Sequence, residues 1–100
     1  MSTKKIYGVK ELERDYGPFS FGRMLEAYRL SSEASQKDFA KLLGISPASL
    51  CDLEKGRRVP TPDRAVKIAK KLKEPPAFWV RLALQDQLDL AGIKLKVSVA

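Results

Sequence analysis

The chain has no histidine and a single cysteine, Cys51, among its 100 residues. The first absence removes the side chain most often used as a general base and as a zinc ligand. The second excludes an internal disulfide and a cysteine-built metal cage, so Cys51 reads as a small structural residue. No apolar run is long enough for a signal peptide or a membrane span, which points to a cytoplasmic protein with no membrane partner. A glycine-rich phosphate loop, a nucleophile elbow and paired acids in a metal-dependent setting are all missing, so neither enzymatic activity nor a cofactor is expected. Aromatic residues make up 8% of the chain, and no stacking surface of the kind RNA binding uses is evident among them.

What the chain does have is positive charge, +7 at neutral pH with a pI near 9.7. A polyanionic partner is one reading of that excess and plain solubility is another, so its location matters more than its size. Arg57 and Arg58 stand together, and Lys67, Lys70, Lys71 and Lys73 follow closely. The lysines also fit an ordinary solvated helix face, which leaves the two arginines as the stronger electrostatic footprint. The length suits one compact domain with short appendages.

Residues 36–55, QKDFAKLLGISPASLCDLEK, carry the pattern of a helix-turn-helix. Phe39, Leu43, Ile45, Leu50 and Leu53 supply apolar contacts, Ala40 is small where two helices cross, and Gly44 falls where the turn needs positive φ. Ser35 can cap the first helix with Asp38 completing an S-x-x-D box. Ser46 can cap the second, with Pro47 in the first-turn position that proline tolerates. An αα-hairpin without a nucleic-acid role would share the packing, but capping, period and turn all agree on the motif.

Further helices follow from their stops. Ser20 caps a helix to about Leu30 with a stripe of Phe21, Leu25 and Tyr28. Thr61 caps another, opened by Pro62 and running to about Leu72, with Ala65, Val66, Ile68, Ala69 and Leu72 inward. Pro75 and Pro76 separate it from a last helix to about Ala91, whose AFWVRLAL half is apolar on nearly every side. That half suits either a central core helix or a subunit interface through Phe78 and Trp79. Beyond Gly92, Ile93 to Val99 alternates apolar and polar residues and predicts a β-strand. The strand has three candidate partners: the extended-looking Lys4–Val9, its own symmetry mate in a dimer, or a different protein. Lys10 to Tyr16 reads as one or two helical turns closed by Gly17-Pro18. The expected organisation is an N-terminal extension at 1–19, a helix-turn-helix domain at 20–91 and a dimerising strand at 92–100.

With these residues in place, the chain resembles the Xre/Cro-type helix-turn-helix family over about residues 20–90. The resemblance rests on Arg29, Gln36, Ala40, Gly44, Ile45, Ser46, Leu50, Leu53, Glu54 and the KGRRVP that follows. It implies a mainly α, five-helix, phage-repressor-like domain that binds double-stranded DNA as a transcriptional regulator. It also implies that Gln36 contacts the phosphate backbone and that Arg29 pairs with Glu54, a geometry-fixing ion pair between helices. The extensions are similar to those of HigA-like and HipB-like antitoxins of type II toxin–antitoxin modules, which implies an autoregulatory repressor with a toxin as a further partner. A phage or accessory-element repressor without a toxin fits the same central motif.

On that basis, a homodimer is expected to set its reading helices in successive major grooves of a palindromic operator. Pro47, Ala48, Ser49 and Asp52 then face bases, Lys55 lies at the far end, and Ser46, Arg57 and Arg58 lie near the backbone. Pro47 and Ala48 stand where related repressors carry long polar side chains, so base readout is expected to be modest and helped by DNA shape. Ile93, Leu95, Val97 and Val99, with Phe78 and Trp79, are the expected dimer contacts. A protein-interaction module with weak DNA binding is the rival from another class.

Overall fold

The computed structural model describes residues 20–98. Five helices make up this span: α1 (Phe21–Ser31), α2 (Gln36–Leu43), α3 (Pro47–Glu54), α4 (Pro62–Lys71) and α5 (Pro76–Leu90). Four of them start at a hydroxyl cap. The Oγ of Ser20, Ser35 and Ser46 and the Oγ1 of Thr61 accept the N–H of Arg23, Asp38, Ser49 and Arg64 at 3.1, 3.0, 3.0 and 3.2 Å. Each satisfies a first-turn donor that has no partner within its helix. α5 is the exception, beginning at Pro75-Pro76 with no side-chain cap. Its first N–H groups are replaced or left to solvent, as proline at a helix start allows.

The helices close around one core. α4 packs most extensively on α5, α3 lies against both α1 and α2, and α1 also touches α5. Phe21, Leu25, Phe39, Leu50, Leu53, Ile68 and Leu82 are buried there. Tyr28 adds a polar tether, its hydroxyl donating to the Leu72 carbonyl at 3.2 Å. α1 is also held from a distant part of the chain. The Asp86 carboxylate of α5 accepts the Phe21 N–H at 2.8 Å, a second cap on the same helix start.

Two expectations change here. Trp79 does not face a subunit interface, because it is fully buried in the core of one chain. Its ring meets Phe21 edge-on at 5.4 Å between centroids, and Tyr28 and Phe78 at 6.3 and 6.0 Å. Trp79 stands in the first turn of α5, and its indole fills the space between that helix and the Phe21–Tyr28 face of α1. Phe78, half-buried beside it, carries the Arg81 guanidinium over its ring at 5.5 Å.

The second correction concerns the tail. Residues 93–98 form no strand, and no strand exists anywhere among the described residues. A strand needs a second row of peptide groups, which the described helices do not offer. The Gln85 side chain of α5 partly substitutes: its amide donates to the Leu95 carbonyl at 2.8 Å and accepts the Val97 N–H at 2.8 Å. Ile93 and Leu95 are exposed and Val97 is partly buried. The expectations placed on Lys4–Val9, on Lys10–Tyr16 and on Val99 lie outside the described residues.

Candidate nucleic-acid interface

The reading unit is built from the turn outward. Gly44 adopts φ 74° at the end of α2, a backbone state that side chains with a Cβ resist. The chain then reverses through Ile45, and Ser46 caps α3. Pro47 opens α3 without losing a hydrogen bond, since the first N–H of a helix has no internal acceptor. Ser46, Pro47 and Ala48 are exposed at this helix start, with Ser49 and Asp52 partly exposed one turn along. Leu50 and Leu53, on the opposite side of α3, are fully buried. One face of α3 therefore anchors the helix while the other is presented outward.

A polar knot fixes its angle. Arg29 of α1 donates from Nε to Glu54 Oε2 at 2.7 Å and from Nη2 to Glu54 Oε1 at 3.2 Å. Its Nη1 reaches the Ala34 carbonyl at 3.1 Å. Gln36 of α2 completes the knot, its amide donating to Glu54 Oε1 at 3.0 Å. The Glu54 side chain has no exposure and that of Arg29 only 12%. A buried carboxylate with three donors is satisfied, whereas one stripped of its guanidinium is not. The hydrogen bonds that Arg29 donates to the Glu54 carboxylate hold its guanidinium above the ordinary pKa, against the opposing effect of burial. The Gln36 amide nitrogen is thus tied to Glu54 at the partly exposed start of α2.

Gly22 is a further element of this geometry. A Cβ there would run into the Leu53 carbonyl and lie 3.0 Å from that of Glu54. α1 therefore crosses the end of α3 backbone to backbone at Leu53 and Glu54, two turns before Arg29 reaches the Glu54 carboxylate.

The basic end of the unit is less uniform than its composition suggests. Arg57 Nε donates to Asp52 Oδ1 at 3.0 Å, and its Nη2 lies 3.4 Å from Cys51 Sγ. The bond to Asp52 raises the Arg57 pKa. This pair is largely exposed, at 60% for Arg57 and 34% for Asp52, so water and salt weaken it and a competing anion can displace either partner. Arg58 and Lys55 are exposed, and neither side chain has a bonded partner among the described residues. Among the described residues no cluster of acids and cysteine is arranged to hold a metal ion, and no helix is long and apolar enough to cross a membrane.

A helix-turn-helix family model matches residues 25–79. With more than half of its length matched, the chain belongs to the Xre/Cro-type helix-turn-helix family, a class of DNA-binding transcriptional regulators. The match spans α2 and α3 whole and runs from Leu25 in α1 to Trp79 in α5. No curated protein matches the chain.

Proposed function

We propose that the protein is a sequence-specific, autoregulatory repressor that works in the cytoplasm as a homodimer on a palindromic operator. The observation that carries this reading is the pairing of an exposed α3 start, Ser46-Pro47-Ala48, with the exposed Lys55, Arg57 and Arg58 at the other end of the helix. One end inspects bases while the other grips phosphate. Ala48 meets a thymine methyl, Ser49 bonds either kind of base, and Asp52 accepts from cytosine when Arg57 turns to a phosphate. Gln36, oriented by its bond to Glu54, contacts the phosphate backbone at the start of α2 together with the free backbone N–H groups of that first turn. Twofold symmetry sets the two reading helices roughly 34 Å apart, with half-sites about 10 base pairs from centre to centre.

The dimer contacts proposed are Phe78 and the tail residues Ile93, Leu95, Val97 and Val99. The exposure of Ile93 and Leu95 supports that role, since apolar side chains on a tail gain most from a covering partner. The regulator is further proposed to be the antitoxin of a type II module, the same exposed tail giving a toxin an apolar hold. Co-expression with the neighbouring reading frame, followed by co-purification of the full chains, tests that assignment.

The central test is fluorescence anisotropy on the promoter fragment of its own gene against a scrambled duplex, across a salt series. Tight binding that persists near physiological salt only on the native fragment is the expected result. Equal and weak binding to both duplexes would remove the repressor reading.

A further inference from the structure

The chain turns back on α3 where that helix ends. Gly56 takes φ 77°, its N–H donates to the Leu53 carbonyl at 3.2 Å, and the Arg57 N–H donates to the Asp52 carbonyl at 2.9 Å. These two bonds make a Schellman closure, which needs the left-handed backbone that glycine adopts freely. The Arg58 N–H shares the Asp52 carbonyl at 3.3 Å. The Arg57 backbone is therefore tied to Asp52 whatever its side chain does. The side chain itself adds one prong to the carboxylate, Nε to Oδ1 at 3.0 Å, with Nη2 lying 3.4 Å from Cys51 Sγ. Arg29 and Glu54, by contrast, meet through two prongs and are buried. A single exposed prong on an anchored backbone is a bond that exchanges at little cost.

Asp52 is the one acid of α3 that is not buried. It follows Ala48 by four residues and Ser49 by three, so its carboxylate shares their side of the helix. Against DNA a bare carboxylate there is repelled by phosphates, and either Arg57 or a base amino group relieves it. In the major groove cytosine offers its N4–H2 donor, whereas thymine O4 and guanine O6 and N7 are acceptors that oppose a carboxylate.

We propose that the Asp52–Arg57 pair is an exchangeable latch: at a half-site cytosine the carboxylate passes to N4–H2 and the released guanidinium passes to a phosphate, while on other sequences the pair stays closed. This rests on α3 being the base-facing helix and adds a coupling to that reading. On a wrong sequence, opening the pair leaves Asp52 beside phosphates with no donor, so Arg57 stays neutralised within the protein. At the right base, one exposed bond is exchanged for two. Arg57 thereby determines specificity without touching a base, as a residue that acts through Asp52.

Salt-series anisotropy on the full chain tests the exchange. Arg57→Ala should lower the slope of log affinity against log salt by about one unit on the native promoter fragment and leave the slope on a scrambled duplex unchanged. With Asp52→Asn already present Arg57 is free on every duplex, and adding Arg57→Ala should lower the slope by about one unit on both. Half-site C·G pairs changed one position at a time to T·A should reveal one symmetry-related position at which the native fragment no longer responds to Arg57→Ala. Equal slope losses on both duplexes in the parent background would make Arg57 a plain phosphate contact, and no loss on either would leave it on Asp52 throughout. Each result overturns the exchange and leaves the reading helix in place. A parent protein with no preference for the native fragment would remove that reading and the exchange with it.

Discussion

Arg29 and Glu54, separated by 25 residues in sequence, form a two-pronged ion pair that locks the reading helix to α1. Its value lies in the cost of breaking one side. Arg29→Met should destabilise the domain by about 3 kcal/mol, because it leaves a buried carboxylate with only the Gln36 amide as a side-chain donor. The double variant Arg29→Met/Glu54→Leu should recover most of that loss, since it removes both charges together. Urea unfolding of the two variants checks this. If the double variant is no more stable than the single one, uncompensated charge is not what makes Arg29 important.

Gly22 makes a sharper steric prediction. Gly22→Ala favours helix by intrinsic propensity, yet its methyl group meets the Leu53 backbone carbonyl, which cannot swing aside as a side chain would. A loss of about 2 kcal/mol or more is expected, with the sign opposite to that of the same substitution at an open helix position. Thermal denaturation distinguishes the two directly.

The basic end separates into two kinds of arginine. Arg58 has no bonded side-chain partner among the described residues, so Arg58→Ala should lower the slope of log affinity against log salt by about one unit on native and scrambled duplexes alike. Arg57→Ala frees Asp52 to repel phosphates and should weaken binding further. Asp52→Asn discriminates between two roles. If Asp52 only holds Arg57, affinity rises on every duplex; if it reads a cytosine, affinity on the native fragment falls while that on the scrambled one rises. Anisotropy titrations over a salt series report both quantities.

Asp86 links the fold to pH. Partial burial pushes its carboxyl pKa above the ordinary 3.8, the Phe21 N–H partly opposes that shift, and the nearby Asp89 reinforces it. In the window between 3.8 and the raised folded value, the folded protein binds more protons than the unfolded chain. Stability contributed by this group is therefore full below that window and is lost as pH rises through it. Asp86→Asn keeps an acceptor for the Phe21 N–H and never charges, so it should flatten this part of the stability profile and be at least as stable as the parent near neutral pH. Asp86→Ala removes the acceptor and should cost about 1 kcal/mol across the range. Denaturant midpoints collected from about pH 4 to pH 7 check both signs.

The helices were readable from the chain because their causes are local. Ser35, Gly44, Ser46 and Pro47 act within a few residues of themselves, through caps and a turn, and the apolar stripe of α1 is visible at its own period. Arg29 and Glu54 were reachable only through the family resemblance, since no local pattern brings a residue of α1 to the end of α3. Gly22 left a faint signal, a glycine in the first turn of an otherwise regular helix, which often marks close backbone packing. Asp86 left none: its partner lies 65 residues away. The tail misled for a physical reason. Alternation from Ile93 to Val99 describes which side chains want cover, and a strand forms only where another backbone supplies the partners.

Gln85 is the residue through which that tail is best tested. Its amide bonds to Leu95 and Val97, two residues apart, the spacing that one edge of an extended chain offers. The opposite edge, at Lys94, Lys96 and Ser98, has no bonded partner among the described residues. A second tail adding to that edge would find the segment already ordered by Gln85, so less conformational entropy remains to be lost on association. Gln85→Ala should therefore weaken the dimer several-fold, by about 1 kcal/mol, and lower operator affinity with it. Removing residues 93–100 should do the same more strongly. Sedimentation equilibrium on both proteins measures the first effect and anisotropy the second. A truncated chain that remains fully dimeric would move the interface away from the tail and onto the helices, with half-buried Phe78 as the next residue to replace.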